Sequence, residues 1–440
     1  MKKILLFLLL GTSFFLVGCQ ENEKFAKSLS TNDTFWIATD IHFIAPSLHD
    51  DGKEFQFIKK TAAGKDLDYQ VASLSAFVAK AKKERPAAII LTGDLTLNGE
   101  RQSAKEMAQI FSPLRTIDIP VLAIPGNHDI YDGWARKYQE DKKERIDQVS
   151  PADFKQFFPD GYKMAFETDS ASLSYAVNIN KTYDFIFLDT NEYPIQNSGA
   201  QPHTGGQVKE ATLAWLEETL KTTENNHKIP IVFMHHNLFK HNPLIYKGYV
   251  LSNDKIVKKL FAKYHVPIVF SGHIHAQDIM KDPTGQTAII EVVTSSFAIA
   301  DHSYGELQLQ DNQIIYKRKQ VNVQTWAKEN KKTGQNLRHH NTYLKNLFIK
   351  DGERLAYQQL LEQNVRDEEI LAPAAKLVAK VNYNYFTGND NYSSNQIAAI
   401  KESEAYDNLK KYSPFLQQYL DYSLQDDNLS DQKIVVHPLK

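Results

Sequence analysis

Five short apolar runs punctuate the first two-thirds of the chain: residues 35–39, 87–92, 121–124, 231–234 and 266–270. None alternates apolar with polar positions, which fits strands buried on both faces. Helical stripes lie between them. Residues 69–84 place Val71, Leu74, Phe77, Val78 and Ala81 on one face; 208–220 do the same with Leu213, Leu216 and Leu220; 255–264 do so with Ile256, Val257, Leu260 and Phe261. Strand–helix alternation of this kind predicts an α/β architecture with parallel strand pairs. Two antiparallel hairpins are also expected, 172–178 with 185–188 across Asn180-Lys181 and 307–309 with 314–317 across Asp311-Asn312. Near residue 325 the pattern becomes helical only, with Leu344, Leu347 and Phe348, then Leu355, Leu360 and Leu361, then Leu377, Val378 and Val381, then Phe415, Leu416, Tyr419 and Leu420. The chain therefore divides into a domain over 35–325 and a smaller all-helical accessory domain over 326–440, without internal repeat or low-complexity tract.

Composition changes little: 42% hydrophobic and 24% charged residues are ordinary for a globular chain of 440 residues. A net charge of -2 provides no global basic field, so no stable nucleic-acid partner is expected. The amino terminus says more. Lys2 and Lys3 precede an apolar stretch over 4–17 that is shorter than the ~20 residues a membrane-spanning helix needs. Leu16-Val17-Gly18-Cys19 follows and resembles the bacterial lipobox, which implies a signal peptide over 1–19, lipid on Cys19, and a membrane-anchored protein facing the extracytoplasmic side. Cys19 is the only cysteine, so an internal disulfide cannot account for it. Residues 20–34 are polar and read as a flexible tether.

Each of the five runs ends in metal-binding residue types: Asp40 and His42; Gly93-Asp94; Gly126-Asn127-His128-Asp129; His235-His236; and Gly272-His273 with His275. Residues at the carboxyl ends of such strands converge in one crevice. Asp40 and His42, and likewise His273 and His275, occupy alternate positions and so point the same way in extended backbone. Carboxylate, amide and imidazole donors without thiolate suit Mn, Fe or Zn.

In this order the set resembles the calcineurin-like metallophosphoesterase superfamily, whose signature runs Asp-x-His, Gly-Asp, Gly-Asn-His-Asp/Glu, His, Gly-His-x-His. The resemblance implies a four-layer α-β-β-α sandwich of two mixed sheets and two divalent or mixed-valence ions. It assigns Asp40, His42 and His275 to one ion, Asn127, His235 and His273 to the other, and Asp94 to both. It implies attack on a phosphoester by a hydroxide held between the ions, with His128 as proton donor. Asp129 is expected to orient His128. His236 is left near the substrate or in the core, and His203 in a loop within reach of the cleft; His49, His227, His265 and His437 are given no role, and the His339-His340 pair shows no ligand spacing.

The segments around Gly93 and Gly126 look most like class III cyclic-nucleotide phosphodiesterases, some of which carry a helical C-terminal domain. This implies a small phosphoester substrate, a cyclic nucleotide met outside the cell. Tyr383 and Tyr385 are read as helix packing, with stacking on a base as the alternative. Rival readings are a broad phosphomonoesterase or a cell-envelope phosphodiesterase on the same scaffold, and a non-catalytic metal-containing binding protein. The 2′,3′- or 3′,5′-cyclic preference, the metal identity and the oligomeric state are not encoded in these motifs.

Overall fold

The computed structural model describes residues 33–425 and 429–438; the signal peptide, Cys19 and nearly all of the tether lie outside them. Two sheets face each other. The first comprises β1 (Thr34–Ala38), β2 (Ala88–Thr92) and β3 (Val121–Ile124) together with later strands, and β4 (Arg136–Gln139) and β5 (Lys142–Arg145) form a separate small ribbon. The second comprises β6 (Ala165–Thr168), β7 (Tyr175–Asn178), β8 (Tyr183–Leu188), β9 (Ile229–Met234), β10 (Ile268–Ser271), β11 (Asp278–Lys281) and β12 (Ile290–Val293). The chain then returns to the first sheet as β13 (Ser303–Gln310) and β14 (Gln313–Gln320), and once more as β15 (Lys433–Val436). The first sheet runs β15-β14-β13-β1-β2-β3 and the second β11-β12-β10-β9-β8-β7-β6.

Period-two burial builds the layers. In β1, Phe35 and Ile37 point into the space between the sheets, whereas Trp36 and Ala38 point to the outer helices. In β9, Ile231 and Phe233 face inward and Val232 and Met234 outward. Helices Gln70–Glu84 and Arg101–Arg115 cover the first sheet, and Glu210–Asn225 and Asp254–Lys263 the second, which gives the α-β-β-α order. The helical stripes are narrower than the pattern suggests: Val71 and Ile256 face solvent, because each helix packs on one sheet alone. Both hairpins form, β7 with β8 and β13 with β14.

The functional strands run parallel: β1 with β2 and β2 with β3 in one sheet, β9 with β10 in the other. An aromatic ladder holds the second set in line. Tyr175, Phe187, Phe233 and Phe270 stack across four adjacent strands at 4.6, 5.0 and 5.2 Å between ring centroids. The Tyr175 hydroxyl donates to the Ala123 carbonyl at 3.1 Å and ties the ladder to β3 of the opposite sheet.

Helices occupy most of 323–423, but the chain end is not helical: β15 pairs antiparallel with β14. The expected all-helical end thus fails at residues 433–436, where Ile434 and Val436 cap the inter-sheet core.

The loop after β9 is pinned by a buried charge cluster. His241 Nδ1 lies 2.6 Å from Asp278 Oδ2 and Nε2 lies 3.0 Å from Glu291 Oε2. Burial disfavours the imidazolium, but the two carboxylates outweigh it and hold His241 up to about 10. A raised folded-state value means this stabilisation is complete below the unfolded value near 6.5 and is lost as pH rises through about 10. His241→Gln is expected to cost about 3–5 kcal/mol at pH 6.5 by stranding two buried carboxylates. Thermal melts from pH 6 to 10 check this: the gap to wild type narrows with rising pH, and a pH-independent gap contradicts it.

Candidate metal centre

The C-terminal ends of β1, β2 and β3 meet those of β9 and β10 at the seam of the two sheets. Asp40, His42, Asp94, His273 and His275 all sit in left-handed backbone, φ 46 to 68. Such conformations are uncommon in non-glycine residues and cluster at functional sites. After β1, β2 and β10 the chain turns sharply within two residues of the strand end, at Asp40, Asp94 and His273. Gly93 begins the turn after β2 at φ 98, and a Cβ there would lie 2.5 Å from His235 Nδ1. Gly272 is required for a different reason, since its Cβ would lie 2.1 Å from Thr39 Oγ1.

Two groups of donors result. Asp40, His42, Asp94 and His275 each bring one donor atom within 4.8 Å of the others, and so do Asp94, His235 and His273. Asp94 belongs to both. Its Oδ2 lies 3.7 Å from His42 Nε2 and its Oδ1 3.5 Å from His235 Nε2. Asn127 Oδ1 joins the second group, 3.2 Å from His235 Nε2.

These groups form a set of acceptors facing one another. His235 Nδ1 donates to the Thr92 carbonyl at 2.9 Å, and His273 Nε2 lies 3.0 Å from the carbonyls of Thr204 and Gly248. Each ring is thereby fixed in one orientation, with its other nitrogen turned toward the neighbouring donors. Asp40 Oδ1 is buried without a hydrogen-bond partner, as is His42 Nδ1. Burial opposes protonation of His235, yet Asp94 pulls it up to about 9. The carboxylates demand positive charge, and cations between the two groups meet that demand. The donor set therefore fits divalent metal ions.

His236 is not part of it. Its Nδ1 lies 2.8 Å from Thr190 Oγ1 and its Nε2 3.1 Å from the Thr204 carbonyl, so both nitrogens are engaged in the core. His203 is exposed and pairs with Glu192 at 3.1 Å; its loop reaches the cleft through Thr204 instead.

Asp129 does not orient His128. Its carboxylate accepts from the backbone N–H groups of Leu95, Thr96 and Gly126 and from the Thr96 hydroxyl, at 2.8 to 3.1 Å, and so staples the loop after β2 to the loop after β3. Burial, and next the charge of Asp94, raise it to about 6 against these donors. The carboxylate at the His128 ring is Asp132, with Oδ2 3.2 Å from Nδ1. Sequence reasoning missed Asp132, which lies four residues after His128 in the same non-helical loop. Burial works against the His128 cation, but Asp94 and then Asp132 raise it above its ordinary value.

A cavity of about 380 Å³ opens over this seam. Its floor includes His42, Asp94, Asn127 and His128, and its roof comes from the C-terminal helices His340–Glu362 and Glu368–Phe386, through Phe348, Asp351, Leu355, Asn382 and Phe386. Lys65, also unforeseen, lines one wall. Tyr383 and Tyr385 do not line it. Tyr385 is buried with its hydroxyl on the His241 carbonyl, and Tyr383 packs on Phe348.

Residues 34–277 match the family described as calcineurin-like phosphoesterase. The chain belongs to that family. Residues 322–430 match the C-terminal domain of cyclic nucleotide phosphodiesterase. The chain is 27% identical over 184 residues to glycerophosphodiester phosphodiesterase GpdQ of Enterobacter lignolyticus (strain SCF1), across 42% of this chain and 51% of that protein. It thus spans about half the length of that relative. Among solved structures, a dimetal phosphatase from Danio rerio aligns with TM-score 0.49 and 13% identity over 66% of this chain and 96% of its own. Purple acid phosphatase PPD1 from yellow lupin aligns with TM-score 0.42 and 11% identity over 66% and 52%.

Proposed function

We propose that the chain is a binuclear phosphodiesterase acting on cyclic nucleotides outside the cytoplasm. The observation that carries this reading is the two-sided cavity, with charged donors on the floor and Phe348, Leu355 and Phe386 in the roof. A phosphoester with a flat apolar portion fits both sides, whereas a bare phosphate leaves the roof without a partner. Asn382 and Asp351 offer polar contacts to the same portion. The match of 322–430 to a cyclic nucleotide phosphodiesterase domain supports the same substrate class.

In this reading Asp40, His42 and His275 would hold one ion and Asn127, His235 and His273 the other, with Asp94 contributing to both. When bound, the pair supplies activation of water and neutralisation of charge on the phosphoryl oxygens. The protein does the rest. The Asp94 carboxylate is held by the His128 backbone N–H at 2.9 Å, which fixes His128 beside the ion site. The His128 ring, charged and steadied by Asp132, donates its proton to the departing oxygen. Lys65 adds a cation to the wall, and the helical roof limits water.

The GpdQ likeness favours a second reading, in which the diester is a glycerophosphodiester. A panel on metal-reconstituted protein separates them: 2′,3′- and 3′,5′-cyclic nucleotides, glycerophosphodiesters, and the corresponding monoesters. Cyclic nucleotides are expected to give the highest kcat/KM, and Phe386→Ala to reduce it about ten-fold for them alone. Preference for glycerophosphodiesters, or for monoesters, sinks the first reading. The proposed location rests on Cys19 and places scavenging of RNA-derived 2′,3′-cyclic nucleotides as the task. Radiolabelled palmitate incorporation lost in Cys19→Ala supports it, and unchanged soluble protein contradicts it.

A further inference from the structure

A second set of metal-binding residue types lies apart from the catalytic seam, buried where the helical region docks on the sandwich. Asp66 comes from the loop before helix Gln70–Glu84, His302 from the loop before β13, and His340 is the first residue of helix His340–Glu362. All three are buried at 1% exposure or less. His302 Nε2 lies 3.0 Å from His340 Nε2, and Asp66 Oδ2 lies 3.7 and 3.6 Å from these two atoms. Zinc bonds of about 2.0–2.1 Å in tetrahedral geometry place neighbouring ligand atoms roughly 3.3 Å apart. The three observed edges bracket that spacing.

The surrounding hydrogen bonds point the same way. His302 Nδ1 donates to the Phe297 carbonyl at 2.6 Å, so Nε2 carries the lone pair that faces the other two groups. Asp66 Oδ1 accepts from the backbone of Asp68 and Tyr69 and from the Tyr343 hydroxyl, each at 3.2 Å. Asp66 Oδ2, by contrast, is buried with no hydrogen-bond partner. A direct hydrogen bond from His340 to His302 uses one proton and leaves Asp66 Oδ2 unsatisfied inside the protein. A cation takes Asp66 Oδ2 and both Nε2 atoms together.

We infer that Asp66, His302 and His340 form a third metal site, separate from the catalytic pair, which binds zinc and clamps the helical roof to the sandwich. Two imidazoles and one carboxylate are a donor set suited to zinc. The clamp reaches the cavity from two sides. Lys65, next to Asp66, lines its wall, and the helix that begins at His340 carries Phe348, Asp351 and Leu355 into its roof. The site does not depend on the substrate reading above.

Zinc stoichiometry tests it. The full chain is stripped of metal, dialysed against Zn²⁺ alone and measured by elemental analysis. Asp66→Asn and His302→Gln are each expected to bind one equivalent fewer than wild type. A His42→Ala/His235→Ala chain is expected to retain that equivalent, to melt at a higher temperature with it than without, and to lose it when His302→Gln is added. Equal zinc content in wild type and the two clamp variants overturns the inference. Where those variants fail to fold, the His42→Ala/His235→Ala chain decides alone: no bound zinc and no shift in melting temperature mean a metal-free histidine pair, and the inference falls.

Discussion

Asp94→Asn is expected to abolish turnover and metal retention together while leaving the metal-free fold intact. Asp94 is the one residue common to both donor groups, within 3.7 Å of histidines from both. The amide keeps the shape and one acceptor oxygen, but it removes the charge and the second anionic oxygen. The expected loss in kcat/KM is roughly a thousand-fold or more, larger than the ten- to hundred-fold seen when a supporting group around a metal is removed. Stability without metal should fall as well. Burial penalises the Asp94 charge, but His235, His128 and His42 outweigh this and hold its carboxyl well below the usual carboxylate range, so the folded state favours the ionised form and losing it is destabilising near neutral pH. In metal-free protein the melting temperature is expected to drop, and the increase on adding metal to disappear. Melts with and without metal, beside elemental analysis, check both halves. A variant that keeps wild-type metal content and turnover contradicts the shared role of Asp94.

The donors of this site were legible because the fold makes them so. A strand buried on both faces leaves an apolar run in the sequence, and the polar residue that breaks it sits at the sheet's edge. Asp40, Asp94, Asn127, His235 and His273 follow their runs directly or by one or two residues, and the structure brings them together. The partner of His128 was harder to read. Asp129 and Asp132 are both near it in sequence, and only the turn geometry sends the first to the backbone and the second to the ring. The Asp66, His302 and His340 cluster left no trace, since its members come from three distant segments with no shared spacing. His340 in particular looks like half of an ordinary histidine pair. The helical roof was visible as a helical pattern, but which of its side chains enter the cavity was not. Tyr385 and Phe386 are adjacent, and the helix turn alone sends Tyr385 to the His241 carbonyl and Phe386 into the cavity.

His128→Asn is expected to lower kcat by about 10²–10⁴-fold with metal content unchanged, the range for loss of a positioned proton donor. The backbone N–H that His128 gives to Asp94 survives any side-chain change, so the ion site keeps its geometry. What is lost is the proton for the departing oxygen, and this gives the substitution a signature that a structural defect lacks. A 4-nitrophenolate leaves without protonation, so the variant should approach wild type on a nitrophenyl diester and fall far behind on an alkyl one. Asp132→Asn should reproduce the same leaving-group dependence more weakly, about ten-fold, because Asp132 acts through His128: its carboxylate, 0% exposed at the side chain, helps to raise the imidazole and fixes its rotation. The double variant should be no worse than His128→Asn alone, since two residues that serve one proton transfer are not additive. Equal losses on nitrophenyl and alkyl esters, or additive losses in the double variant, would assign both residues to binding or folding and remove proton donation from His128.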